Sequence, residues 1–339
     1  MRLMDAILEN RLLARWGELL PRAPGQVGGL QETDAELVEL GDGRLLALTV
    51  DAVVEEVTAG LYRDPRTVGR IAAASSLSDL AAVGADALGV LVCATLPHAR
   101  REDVQTAVAA GLRETLDPAG VFVLGGDTNE GEHLALALTA AGLVPRADLI
   151  TRVGARAGDA VFVSGPLGAG GALGASVMLG LGHVREDEYR PVTRLREGKL
   201  LRGLASCCMD TSDGFVATID QLARINEVGF RITAPSAALL HPLAARLSAA
   251  ARLPAFPFLA SYHGEFELVF TVPPEHIAEL EKRASEAGWQ PLRVGGVEST
   301  PGVRFGDVEV DTAALRNAFE LAGGDTRKYV DTLLRVSVP

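Results

Sequence analysis

What most limits the folds open to this chain is an ordered alternation of apolar runs with breaks that carry glycine and aspartate. Leu45 to Val50 (Leu-Leu-Ala-Leu-Thr-Val) reads as a strand that delivers Asp51 at its end. Pro65 starts a helix in which Ile71, Ala74, Leu77 and Ala81 share one face, with Asp79 in its last turns and Gly84 closing it. Ala87 to Leu96 is a continuous apolar run of strand character, and Val104, Val108, Leu112 and Leu116 mark one face of the next helix. Val121 to Leu124 is a short strand running straight into Gly125-Gly126-Asp127-Thr128, and Leu134 to Val144 is the strand after it. Helix and strand in this mixed order predict packed layers of α/β or α+β type.

The same reading extends to both ends. Leu3, Ile7, Leu8, Leu12 and Leu19 give residues 3 to 20 a helical pattern ended by Pro21 and the Pro24-Gly25 turn. The polar, glycine-rich stretch from Arg152 to Gly158 marks a domain boundary, and 339 residues exceed what one core usually fills, so domains over 1–150 and 151–339 are expected. Beyond it come a strand (Ala160 to Ser164), a flexible glycine-rich segment (Gly165 to Gly171), a helix to about Leu181, and another over Val192 to Leu204. Cys207-Cys208-Met209 then leads into the acidic loop Asp210-Thr211-Ser212-Asp213-Gly214-Phe215, followed by a helix carrying Val216, Ile219 and Leu222. Glu267 to Val272 and Leu292 to Val297 read as strands around a helix near Glu275 to Ala287.

A formal net charge of −12 and a pI near 5.1 oppose binding to nucleic acid and to anionic membrane surfaces. Residues 1 to 20 lack an uninterrupted apolar core, which reads as neither a signal peptide nor a membrane span. The three cysteines (Cys93, Cys207, Cys208) have neither metal-ligand nor disulfide spacing, and a reducing cytoplasm is the expected location. The chemistry therefore has to come from carboxylates. Asp34, Asp51, Asp79, Asp127, Asp210 and Asp213 all lie in loops, at strand ends or late in a helix. Any one of them could be a cap or turn residue; as a set they suit Mg2+, a hard cation that takes carboxylate and phosphate oxygens. Gly125-Gly126-Asp127 suits a phosphate, with two residues lacking Cβ beside a carboxylate. There is no Gly-x-x-x-x-Gly-Lys-Ser/Thr run, and Gly168 to Gly171 lacks the context of a dinucleotide site, so an ATP site of another kind is needed.

Taken in order, Thr33-Asp34-Ala35, Thr49-Val50-Asp51, Ser76 to Ala85, Gly125 to Thr128, Arg152 to Asp159 and Met209 to Phe215 resemble the thiamine-monophosphate kinase branch of the aminoimidazole ribonucleotide synthase superfamily, over roughly residues 28 to 272. The resemblance implies an N-terminal α/β domain that dimerises through its sheet and a C-terminal α+β domain beside the nucleotide. It implies Mg2+ ligands at Asp34, Thr49, Asp51, Asp79, Asp127, Asp210 and Asp213. Gly125, Gly126, Arg152 and Ser212 would lie near ATP, and Asp127, Asp210 and Asp213 at the chemistry, an in-line transfer of the γ-phosphoryl group to thiamine monophosphate or a related small molecule. The substrate positions match Thr58, Glu265 and Glu267.

The departures from the family pattern fall mainly around the substrate, with one, at Val50, near a metal. Its Thr-Thr-Asp is Thr49-Val50-Asp51, its substrate histidine is Thr58, its Gly-Glu-Asp-Tyr-Glu-Leu is Gly264-Glu-Phe-Glu-Leu268, and Tyr329 is the aromatic nearest the family's aromatic ending. Two other readings stay open at this point: an ATP-dependent synthase or dehydratase that activates a carbonyl or amide, and a nucleotide-binding regulatory protein without turnover.

Overall fold

The computed structural model describes residues 3–336 and 338. Six strands, β1 (Gln26–Val27), β2 (Glu36–Glu39), β3 (Arg44–Val53), β4 (Asp86–Pro97), β5 (Val123–Gly131) and β6 (Ala135–Pro145), form one sheet in the order β1-β2-β3-β6-β4-β5. The same half of the chain holds α1 (Leu8–Leu19), α2 (Glu55–Thr58), α3 (Pro65–Ala82) and α4 (Arg101–Ala119), of which α1 is tied to the second half by Leu8 to Asn317 and Asn10 to Gln221 hydrogen bonds. Neighbouring strands are antiparallel except β4 and β5, whose parallel pairing needs a crossover that α4 supplies.

The second sheet holds β7 (Ala160–Val163), β8 (Cys207–Asp210), β9 (Gly229–Ile232), β10 (Leu268–Val272), β11 (Leu292–Glu298), β12 (Gly302–Phe305) and β13 (Val308–Glu309), in the order β13-β12-β9-β11-β7-β10-β8. Helices α5 (Ala169–Met178), α6 (Leu195–Leu200) and α7 (Phe215–Asn226) lie in this half. No helix among the described residues is long and apolar enough to cross a membrane.

Helix α3 ties the halves together. Asp64 caps it by accepting a hydrogen bond from the Arg66 amide at 2.9 Å, and Pro65 takes the first helical position. All of α3 except Pro65, Arg66 and Asp79 is buried, because it packs on β3, β6 and α4 and also touches α6 and β8 of the second half. Close approach explains its small residues: a Cβ on Gly111 of α4 would sit 1.9 Å from the Arg66 carbonyl oxygen. The opposite face of the first sheet is bare, with Val50, Phe122 and Leu124 all more than 60% exposed.

Three expectations change. Gly125-Gly126-Asp127 is not a loop after a strand but the middle of β5; a Cβ on Gly126 would lie 1.9 Å from the Val92 carbonyl oxygen, so the approach of β4 requires glycine there. The segment from Gly165 to Gly171 is packed rather than flexible, nearly all of it buried, with Gly168 opening α5. The helix expected over Val192 to Leu204 is only α6, and residues 201–204 form turns with Gly203 at φ +69°. Short strands such as β2, β9 and β12, and the helices between Thr312 and Leu334, gave no periodic signal strong enough to be read.

Candidate active site

Four elements converge where the two halves meet. Asp34 comes from the turn before β2, Thr49 and Asp51 from alternate positions of β3, Asp79 from α3, and Asp210 from the end of β8. One carboxylate oxygen from each of Asp34, Asp79 and Asp210 lies within 4.8 Å of the others. The aim of each group is fixed. Thr49 Oγ1 donates to Asp79, and Ser78 Oγ donates to Asp210 across the domain junction. Ser212 Oγ donates to Asp210 Oδ1 at 2.9 Å. Arg152 Nε donates to Asp34 Oδ1 at 3.0 Å and its Nη2 binds the same oxygen, while its backbone amide reaches the Glu32 carbonyl at 2.8 Å. Asp34 Oδ2 and Asp51 Oδ2 are buried and accept no hydrogen bond.

Burial first, and then mutual repulsion, sets the charge state of this cluster. Asp34 is pushed up to about 6 by desolvation and the Asp210 charge, against the pull of Arg152. Asp51 rises to about 6 for the same first reason, with Asp210 and Asp34 adding to it. Asp79 is held well above the usual carboxylate range by desolvation and by Asp51, Asp210 and Asp34. Burial works against the Arg152 charge, yet the carboxylates, Asp34 foremost, keep it firmly protonated. Crowded oxygen donors with buried, unpartnered lone pairs fit a hard divalent cation, whose charge would remove the repulsion.

The other expected positions lie apart from this trio. Asp213 sits in the loop after β8, pushed up to about 7 by desolvation and the Glu9 charge, with Arg316 opposing. Asp127 is exposed on β5, with Asn129 Nδ2 donating to it at 2.8 Å. The register Asp51–Leu138–Val92–Gly126 puts three strand spacings, about 14 Å, between Asp51 and the Gly125-Gly126-Asp127 run in the same chain. Thr58 is exposed at the end of α2. Glu267 is buried and engaged by Arg194 through Nε at 2.8 Å and Nη2 at 2.6 Å, which locks it into the second half. Glu265 is buried too, accepts from the Gly168 amide at 2.6 Å, and is pushed up to about 8 by desolvation and Glu267.

Ser78 lies inside the Ser76 to Ala85 segment without having been singled out there; Arg316, Tyr262 and Phe319 had no motif to announce them. Tyr262 and Phe319 stack with ring centroids 5.6 Å apart and planes 5° apart, and Tyr329 packs edge-on to Phe319 while its hydroxyl accepts from the Tyr262 amide at 2.7 Å. Tyr262 and Phe319 stay 41% and 43% exposed, and the Asp213 charge is the strongest influence on the Tyr262 hydroxyl, so this pair lies beside the acidic loop.

The two-sheet fold and its carboxylate junction define a class: the chain belongs to the AIR synthase related family, matching its N-terminal domain over residues 32–144 and its C-terminal domain over 156–308. Within it, the chain is 32% identical over 257 residues to the thiamine-monophosphate kinase of Haemophilus influenzae, covering 74% of this chain and 77% of that protein. The crystal structure of tt0281 from Thermus thermophilus superposes with a TM-score of 0.75 at 30% identity, covering 89% of this chain and 97% of that one. The structure of AaThiL complexed with AMPPCP and TMP gives a TM-score of 0.75 at 24% identity, covering 92% and 97%, a likeness of fold.

Proposed function

We propose that this chain is an ATP-dependent kinase that transfers the γ-phosphoryl group of ATP to thiamine monophosphate. The observation that carries this reading is the meeting of Asp34, Asp79 and Asp210, drawn from both halves of the fold, in one cluster in which Asp34 Oδ2 is buried and accepts no hydrogen bond. Relatives about 30% identical over most of their length carry the thiamine-monophosphate kinase name, which favours phosphoryl transfer over carbonyl activation and over a protein without turnover.

Asp34, Asp51, Asp79 and Asp210, with Thr49 alongside, would hold Mg2+. Bound there, the metal would supply the charge that neutralises phosphate oxygens during transfer. The chain's own groups do the rest. Thr49 and Ser78 fix the carboxylates so that no reorganisation is needed when phosphate arrives. Arg152, pinned by Asp34, presents a cation to the nucleotide, and Ser212 offers its hydroxyl from the loop that carries Asp213. The exposed Tyr262–Phe319 pair suits an organic cation such as a thiazolium ring, which stacks on aromatic faces. Because Glu267 is committed to Arg194, and Glu265 is equally buried against the Gly168 amide and the Thr211 hydroxyl, substrate contact falls to Thr58 and these rings. Steady-state ADP release that requires both Mg2+ and thiamine monophosphate is the expected result; release without thiamine monophosphate overturns the acceptor.

Further parts of the reading are a cytoplasmic location, for which the three free cysteines speak, a division between domains near residue 150, and a homodimer. Val50, Leu88, Leu91, Phe122, Val123 and Leu124 leave an apolar surface on the first sheet that a second copy would cover. Light scattering should find the wild-type chain at twice its monomer mass and Phe122→Asp at the monomer mass. A monomeric wild type removes the dimer.

A further inference from the structure

Outside the carboxylate cluster lies a group that the proposed chemistry leaves unused: the buried Tyr62 and Tyr189 with the half-buried His263. Tyr62 follows α2 in the first half, whereas His263 precedes β10 in the second. Tyr62 Oη and His263 Nε2 are 2.7 Å apart, and both tyrosine rings lie 5.6 Å from the imidazole. Burial drives His263 down to about 4 and keeps the Tyr62 hydroxyl protonated, so both partners are neutral and the imidazole tautomer sets which of them donates.

Each end of this bond is attached to one side of the site. Gly264, next to His263, donates its amide to the Ser212 carbonyl at 3.0 Å and accepts from Tyr189 Oη at 2.5 Å. A Cβ on Gly264 would fall 1.5 Å from the Thr211 carbonyl oxygen, so this backbone is wedged against the loop that follows Asp210 and holds Ser212 and Asp213. On the other side, the amides of Arg63 and Asp64 both donate to Glu186, and Asp64 caps α3, which carries Ser78 and Asp79. A hydrogen bond to a buried tyrosine hydroxyl is directional where an apolar domain contact is not.

We propose that the Tyr62–His263 hydrogen bond is a positioning latch that sets the acidic loop of the second half against α3, fixing the separation of Asp210 from Asp79 and Asp34 before any metal binds. Both are positioning residues, acting through the loop and the helix they hold. The proposal rests on the kinase reading for its consequence in turnover, and metal binding tests it independently.

The test uses the full chain with Tyr62→Phe, His263→Ala, His263→Gln and the double variant Tyr62→Phe/His263→Ala. Mg2+ is titrated by calorimetry into nucleotide-free protein, and kcat and KM for ATP are measured separately. Tyr62→Phe keeps the ring and its packing, and is expected to weaken Mg2+ binding about tenfold and lower kcat by about 10- to 100-fold. KM for ATP should move by less than about threefold, since the latch does not touch the nucleotide. His263→Gln keeps an acceptor near the Nε2 position and should recover most of the loss. The double variant should be no worse than the poorer single one, as expected of two halves of one interaction. Wild-type Mg2+ affinity in Tyr62→Phe, or losses in the single variants that simply add, overturns the latch. A wild-type chain that binds Mg2+ but does not phosphorylate thiamine monophosphate overturns the kinase reading instead, and calorimetry then judges the latch alone.

Discussion

Asp79→Asn is expected to lower kcat/KM by about 10³-fold or more and, in the absence of metal, to raise the melting temperature. Both effects have one cause. Asp79 lies where desolvation and the charges of Asp51, Asp210 and Asp34 all oppose ionisation. An asparagine keeps the shape and an oxygen for Thr49 while removing the repulsion, so metal-free protein should gain about 1 kcal/mol, or about 2 °C. It also removes the charge that draws a cation.

The pH dependence has a definite sign. Asp34 and Asp51 titrate near 6 and Asp213 near 7 in the folded chain, all above the ordinary 3.8. Groups raised in this way stabilise the fold fully below their unfolded value, and that contribution is lost as pH rises through 6 to 7. Metal-free wild type should therefore melt higher at pH 5.5 than at pH 8, and the advantage of Asp79→Asn should shrink at the lower pH. Thermal melts in a chelator at both pH values make the comparison. A variant that melts lower than wild type at pH 8, or keeps more than a tenth of its activity, contradicts the assignment.

Asp127→Asn should behave differently. This carboxylate is exposed on the edge strand, and Asn129, which donates to it, can bond an amide as readily. Metal-free stability should therefore stay within about 0.5 kcal/mol of wild type. Turnover should nevertheless fall by about 100-fold or more if the residue carries metal or nucleotide phosphate. The pair of variants thus separates two kinds of carboxylate: Asp79, which the fold holds under electrostatic strain, and Asp127, which the fold leaves unconstrained. Normal kcat in Asp127→Asn would make it a surface residue of β5 and take the Gly125-Gly126-Asp127 run out of the site.

Local periodicity carried much of the fold. The face of α4 and the alternation of β6 follow burial that repeats at 3.6 or 2 residues, while α3, β4 and β10 were legible as mainly apolar stretches of the right length. Gly125-Gly126 misled for a physical reason: glycine pairs mark turns, but they also mark places where another backbone comes close, and here that backbone is β4. The carboxylates were readable as a set in sequence order, not as a cluster. Ser78 and Asp210 are 132 residues apart, and only the packing of α3 against β8 joins them. Phe319 escaped notice because the family's aromatic ending points to Tyr329, and the partnership of Phe319 with Tyr262 exists only once the helices after Thr312 are folded. Tyr62 and His263 are a further case, since nothing in the sequence pairs them and their hydrogen bond spans 201 residues.

The fate of the γ-phosphoryl group tests the kinase assignment most directly. Purified chain is incubated with Mg2+, γ-labelled ATP and thiamine monophosphate, and the label is followed through the separated products. The expected result is label in the terminal phosphate of thiamine diphosphate, an equal amount of ADP, and no transfer once Mg2+ is chelated. Label recovered as free phosphate with thiamine monophosphate unchanged, or ATP left intact in the presence of both, would contradict it.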